Sequence, residues 1–203
     1  MRKSIALVVL AGLSILSVAC TAQEADPITV LKSDASLEQK AEACRVLSYK
    51  GGPDCVPILA PMLTDEKLSH IARYALEGMP FPEAGAALRD ALGKTAGKLR
   101  VGVISSLGIR KDEQAVPALI ALLADTDASV AQAAAGSLAA IATPEAVKGI
   151  EEAVAQAGLP PNNLLPFCDA LCGCAEKLAA KGDRDRAAAL YERVIALEPK
   201  NVP

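Results

Sequence analysis

Hydrophobic positions recur along this chain at helical spacing, and the clearest copy of the pattern lies between Asp112 and Ala142. In Gln114–Ala124, the residues Val116, Leu119, Ile120 and Leu123 fall at i, i+3, i+4 and i+7, which is one face of a helix. In Ala128–Ala142, Val130, Ala134, Leu138 and Ile141 repeat that spacing. Polar residues punctuate the two runs. Asp112 and Asp127 each stand just before one, where a carboxylate accepts from the unpaired amides of a first helical turn. Pro117 sits early enough in its helix to be tolerated, because those amides have no partner within the helix. The intervening turn, Asp125-Thr126-Asp127, is short enough to predict an antiparallel helical hairpin.

The hairpin is one copy of a repeat. Val56-Pro57-Ile58-Leu59 matches Val116-Pro117-Ala118-Leu119 at an offset of 60 residues, and Asp65 matches Asp125 at the same offset. Leu88 and Leu92 precede Leu119 and Leu123 by 31, while Val147, Ile150 and Val154 follow Val116, Leu119 and Leu123 by 31. On the other helix Leu76, Leu107 and Leu138 are 31 apart, and Leu47 precedes Leu76 by 29. A period near 30 with two helices per period predicts an all-α fold, a right-handed α-solenoid of stacked helical hairpins. Over Ser36–Gly158, about four hairpins, these residues resemble the short bacterial HEAT-like repeats first associated with phycobilisome lyases. The resemblance implies a fold and a curved surface suited to binding another protein. It implies little about a specific role.

Further signals set the boundaries of the array. Ser36 with Gln39 three places on reads as a capping box, and Leu37, Ala41, Cys44 and Leu47 form the inner face of the helix it opens. Gly51-Gly52-Pro53 ends that helix. Pro61 lies deep in the next and is expected to kink it or end it early. Asp65, Phe81-Pro82-Glu83 and Thr143-Pro144-Glu145 open later helices. Gly102 and Gly108 each cost roughly 1 kcal/mol of helix propensity, so a close approach of neighbouring backbone is expected there.

The two ends depart from the period. Arg2 and Lys3 precede the apolar run Ile5–Val18, which is short for a membrane span and is followed by small residues, so residues 1–22 read as a signal peptide. Leu16-Ser17-Val18-Ala19-Cys20 resembles a lipobox, which would leave Cys20 as a lipidated N-terminus attached to a membrane. Cys20-Thr21-Ala22 equally suits ordinary cleavage after Ala22, and an uncleaved anchor is a third reading. Export across a bacterial inner membrane follows from either cut, which places the mature chain in the periplasm or cell envelope, or outside the cell. Residues 23–35, polar with Pro27, are expected to form a flexible tether. At the other end, Leu159-Pro160-Pro161-Asn162-Asn163 breaks the period. The 34 residues Cys168–Asn201 then resemble one tetratricopeptide repeat. Leu171, Ala175 and Leu178 match its first helix, and Cys174 stands where Leu is usual. Gly182 falls at the turn, Ala187 and Tyr191 match the second helix, and Pro199 ends the unit. A lone copy does not build the peptide groove of longer arrays, so residues 159–203 are expected to cap the solenoid.

Composition narrows the chemistry. The chain carries a net charge of −3, and loss of Arg2 and Lys3 with the leader takes it to about −5. A mildly acidic chain without a basic stripe argues against nucleic acid as a partner. Aromatic residues make up only 2% of the chain, so its alanine-rich helices bury little area each and depend on stacking, and a monomer is expected. Of six cysteines five remain after Cys20, and in an oxidising compartment pairs are expected. Cys44 and Cys55 share a hairpin, but pairing about Gly51 sets Cys55 opposite Leu47, a marginal reach. Cys168 and Cys172 are four apart on one helix, near the upper limit for a bridge. All could instead be buried thiols. Cys168, Cys172 and Cys174 lack the second ligand pair that zinc usually takes. Phosphate-loop, zinc-protease, serine-hydrolase and haem-attachment motifs are absent, and one histidine cannot serve a di-iron site. No catalytic residue, metal ligand or cofactor is therefore assigned.

The leading expectation is an exported, non-enzymatic scaffold or adaptor. Its contact residues would be His70, Arg73 and Tyr74 on one helix, with Arg89, Asp90, Glu151 and Glu152 on the helices taken to line the concave side. Two alternatives stand beside it. One is an accessory or redox-active subunit of an envelope enzyme acting through the C-terminal cysteines. The other is a purely structural envelope lipoprotein.

Overall fold

The structure is a computed structural model and describes residues 25–156 and 159–197. The leader, Cys20, Pro199 and Asn201 lie outside those residues. The described residues form eleven α-helices and no strand. In chain order they are α1 (Pro27–Lys32), α2 (Leu37–Lys50), α3 (Val56–Leu59), α4 (Ser69–Gly78), α5 (Pro82–Leu92), α6 (Gly97–Arg110), α7 (Val116–Leu122), α8 (Ala128–Ile141), α9 (Pro144–Ala155), α10 (Pro161–Ala180) and α11 (Arg184–Leu197).

The caps are the ones the residue types dictate. Ser36 and Gln39 form the reciprocal capping box of α2. The Asp112 carboxylate accepts from the Gln114 amide, Asp127 from Ser129, and the Thr143 hydroxyl from Ala146. Pro82 and Pro144 occupy the first turns of α5 and α9. Pro61 does interrupt its helix: α3 stops at Leu59, and Ala60–Thr64 tightens into a 3-10 turn. Two helices end on a left-handed residue that is not glycine, Lys111 (φ 52°) after α6 and Ala142 (φ 54°) after α8. Those positions are 31 apart, so the repeat extends to backbone conformation.

The hairpins stack into two rows, an all-α solenoid. In the first row α2, α4, α6, α8 and α10 pack each on the next. The second row holds α3 with its 3-10 turn, α5, α7 and α9. The core between the rows is continuous and built largely from leucine and alanine. Leu59, Leu76, Leu88, Leu107, Leu119, Leu138, Ile150 and Leu171 are fully buried, with Ala72, Ala84, Ala134 and Ala146 filling the close approaches. No helix among the described residues is long and apolar enough to cross a membrane.

The structure departs from the sequence expectations at both ends. The expected tether over 23–35 contains α1, capped by Asp26 and packed on α2 through the buried Leu31. Ile28 and Val30 pack against the core beside Leu31, an apolar set too short to show helical periodicity against its polar flanks. Leu37, at the first position of α2, is exposed rather than on the inner face. The break in the period at 159–163 falls between α9 and α10, but the next helix begins within it, at Pro161, rather than at Cys168. Pro161 sits in the first turn of α10, seven residues before Cys168, where a missing amide costs nothing. Pro166 falls inside α10 and removes the amide that would reach the Asn162 carbonyl. The Gln132 side chain of α8 donates to that carbonyl at 3.1 Å and to Asn163 Oδ1 at 3.1 Å. In α11 the residues that pack back are Ala187 and Leu190, while Tyr191 is 38% exposed.

Candidate interaction surface

Polar side chains staple successive first-row helices together, and this decides which charged residues remain available to a partner. Arg110 at the end of α6 reaches back over the C-terminus of α4. It donates to the carbonyls of Leu76, Glu77 and Met79, and to that of Phe81 at 3.1 Å. A helix C-terminus leaves four carbonyls unpaired, and the guanidinium takes up two of them, Leu76 and Glu77, with two more in the segment that follows, bringing charge of the favourable sign. Ser106 donates to the Glu77 carboxylate at 2.6 Å. One step on, Ser137 of α8 donates to the Ile104 carbonyl at 3.0 Å, and Lys177 of α10 to the Ala139 carbonyl.

Arg73 belongs to this lattice rather than to the surface. Its guanidinium crosses from α4 to α6 and donates to the Gly102 carbonyl at 3.1 Å and to Ser106 Oγ at 3.3 Å. A Cβ at Gly102 would come within 2.6 Å of that guanidinium, so the glycine opens a slot for a side chain and not for a neighbouring backbone. Burial lowers the Arg73 pKa from its ordinary value, with Glu77 opposing. Arg89 is likewise committed. It pairs with Asp112, whose side chain is 8% exposed, bridging α5 to the turn that leads into α7. Spacing placed Arg73 and Arg89 on accessible faces, but a long arginine on a helix edge can reach the next repeat, and both do.

The other expected contact residues are exposed or half-buried, and they do not form one site. His70 with Tyr74, Asp90, and Glu152 line three separate clefts, and Glu151 lines none of them. His70 and Tyr74 lie in a cleft of about 480 Å³ between α2 and α4, with Glu38, Ala41, Glu42, Arg45 and Ile71. Tyr74 is 51% exposed there, and Glu42 pairs with Arg45, whose guanidinium stands 5.8 Å over the Tyr49 ring. Sequence reasoning passed over Arg45 and Tyr49, though the i, i+4 spacing of an arginine and a tyrosine was a usable signal. Asp90 belongs to the second row and lines a groove of about 470 Å³ between α5 and the α3 segment. Glu152 lines a third cleft, about 370 Å³, among α7, α9 and the start of α10. It also pairs with Lys148 at 3.5 Å across an exposed helix face. Glu151 is half-buried, and its carbonyl accepts from Arg193 of α11 at 3.2 Å.

Four of the five described cysteines are buried, and Cys172 is half-buried. Cys44, Cys55, Cys172 and Cys174 are free thiols, which is the buried-thiol alternative to the two marginal bridges; Cys44 and Cys55 are each buried in the α2–α3 hairpin, and Cys168 is buried in α10. Burial pushes the Cys44 and Cys174 thiols up to about 11 and raises Cys55. Cys172 is raised by burial and then by the nearby carboxylates of Asp169 and Glu176. Among the described residues no group of three or more His, Cys, Asp or Glu side chains could hold a metal ion.

Residues 85–158 match the family model for HEAT repeats, from within α5 through the whole of α9. Together with the two-row helical stack, the match supports a HEAT-like repeat protein, and such repeats generally serve as protein-interaction scaffolds. No curated protein matches the chain.

Proposed function

We propose that this chain is an exported, non-enzymatic scaffold or adaptor that binds another protein on its helical surface. The observation that carries the reading is the three solvent-open clefts cut between neighbouring helices of a continuously packed stack. A continuously packed array with recesses between its helices suits recognition, because a partner orders little of a packed scaffold on binding. The α10–α11 hairpin is read as a tetratricopeptide-like cap, since Phe167, Leu171 and Cys174 cover the apolar flank of the preceding repeat. Export rests on the leader-like residues 1–22, with Cys20 either lipidated or removed, and a monomer is taken as the working state. The redox alternative has weak support, because a nucleophilic thiol needs a lowered pKa and four of the thiols are shifted upward.

Photo-crosslinking in the native cells tests the reading. A photoreactive residue replaces Tyr74, Asp90 or Glu152 in turn. A discrete adduct to one protein from at least one position is the expected outcome, and no adduct from any of the three overturns the scaffold. The intact mass of the mature chain reads export in the same preparation: a start at Cys20 with acyl chains, or a start near Gln23, as against an uncut chain.

A further inference from the structure

The second-row groove differs from the other two clefts in how its walls are made. Pro61 has shortened α3 and forced the 3-10 turn Ala60–Thr64. Opposite it, α5 presents Ala86, Ala87 and Ala91 rather than large side chains. The result is a recess floored by Val56, Ala60 and Ala91 and walled by the rings of Pro57 and Pro61. Proline rings have no rotamers to lose, so the recess is preformed. Its charge is one-sided along α5. Glu83 and Asp90 are exposed at the rim, seven residues apart on one helix face and so about 10 Å along the axis. Neither takes part in an ion pair among the described residues. Lys94 closes the far end.

We infer that this groove is the docking site for a basic, apolar peptide segment of the partner protein. The charge complementarity argues it. An apolar side chain fills the recess between the two proline rings, and two Lys or Arg side chains about 10 Å apart meet Glu83 and Asp90. That separation corresponds to two positions seven apart on a helix, or three apart on an extended strand. Lys94 disfavours a third cation at its end and sets the direction of the segment. The net charge of the chain, −3, favours approach of a cationic segment in the same sense.

The inference rests on the scaffold reading and is tested separately from it. A phage-displayed random peptide library is selected on the full mature chain and, in parallel, on the E83K/D90K variant. Glu83 and Asp90 are exposed, so the variant is expected to keep the helical circular dichroism of the parent; the neutral E83Q/D90N variant is selected as well, in case it does not. The expected result is enrichment of peptides with paired basic residues flanking an apolar one. Selected peptides should bind at least tenfold more weakly to the neutral variant and not measurably to the reversed one, with binding to the parent weakened by salt. Enrichment without basic residues, equal binding to all three chains, or no enrichment overturns the groove assignment. None of those results alters the scaffold reading, which fails only if the crosslinking positions yield no adduct.

Discussion

At the scale of single residues, the stack is governed by how closely backbones approach. A Cβ at Gly108 would lie 2.9 Å from the Cα of Ser137 on the next helix, whereas one at Gly136 meets nothing within 4 Å. Both glycines are interior to helices and carry the same intrinsic penalty. Their substitutions should therefore move in opposite directions. Gly136→Ala is expected to stabilise by about 0.5–1 kcal/mol. Gly108→Ala is expected to destabilise by about 1–3 kcal/mol, because backbone cannot swing aside as a side-chain tip can. Urea midpoints of the two variants check the pair, and a gain at Gly108 would mean that α6 and α8 are further apart than described. The glycine pattern told that some close approach existed. It did not tell which glycine served it, since helix periodicity alone does not identify the opposing atom.

At the scale of elements, boundaries were legible where a residue acts on its own neighbours. The capping box at Ser36, the proline starts of α5 and α9 and the break at Pro61 are all local events, and each stands where the sequence placed it. Elements held by distant partners were not legible. Short α1 depends on Ile28, Val30 and Leu31 packing against the core beside α2, and α10 runs through Pro166 with Gln132 of another helix taking up the orphaned carbonyl. Arg110 is the strongest case of such a remote link, since one guanidinium serves the carbonyls of Leu76, Glu77, Met79 and Phe81. Arg110→Ala should cost about 2–3 kcal/mol by urea denaturation, the range for losing charge-assisted hydrogen bonds and leaving acceptors unpaired. Arg110→Lys should recover only part, as a single ammonium lacks the fork geometry. A loss below about 0.5 kcal/mol would show that water satisfies the α4 terminus equally well.

At the scale of the whole molecule, stability belongs to the array. Each hairpin buries little by itself, and the core runs unbroken from Leu31 to Leu190. Removing residues 112–142 deletes one period and places Lys111 where Ala142 stood, one left-handed residue exchanged for another. Register is preserved, yet two inter-repeat interfaces are replaced by one that has not been fitted. The shortened chain is expected to melt at lower temperature and over a broader range, and an unchanged melting temperature would show the repeats to be independent. The sequence by itself determined the period, the hairpin design and most helix starts, because those rest on side-chain spacing and on residues within a turn of one another. Only the tertiary structure decided the surface. It withdrew Arg73 and Arg89 into links between elements, separated Asp90 from Glu152 into different clefts, and cut the groove beside Pro61. The physical reason is reach: periodicity assigns a side chain to a face, but the neighbour across the stack determines whether that face meets protein or water.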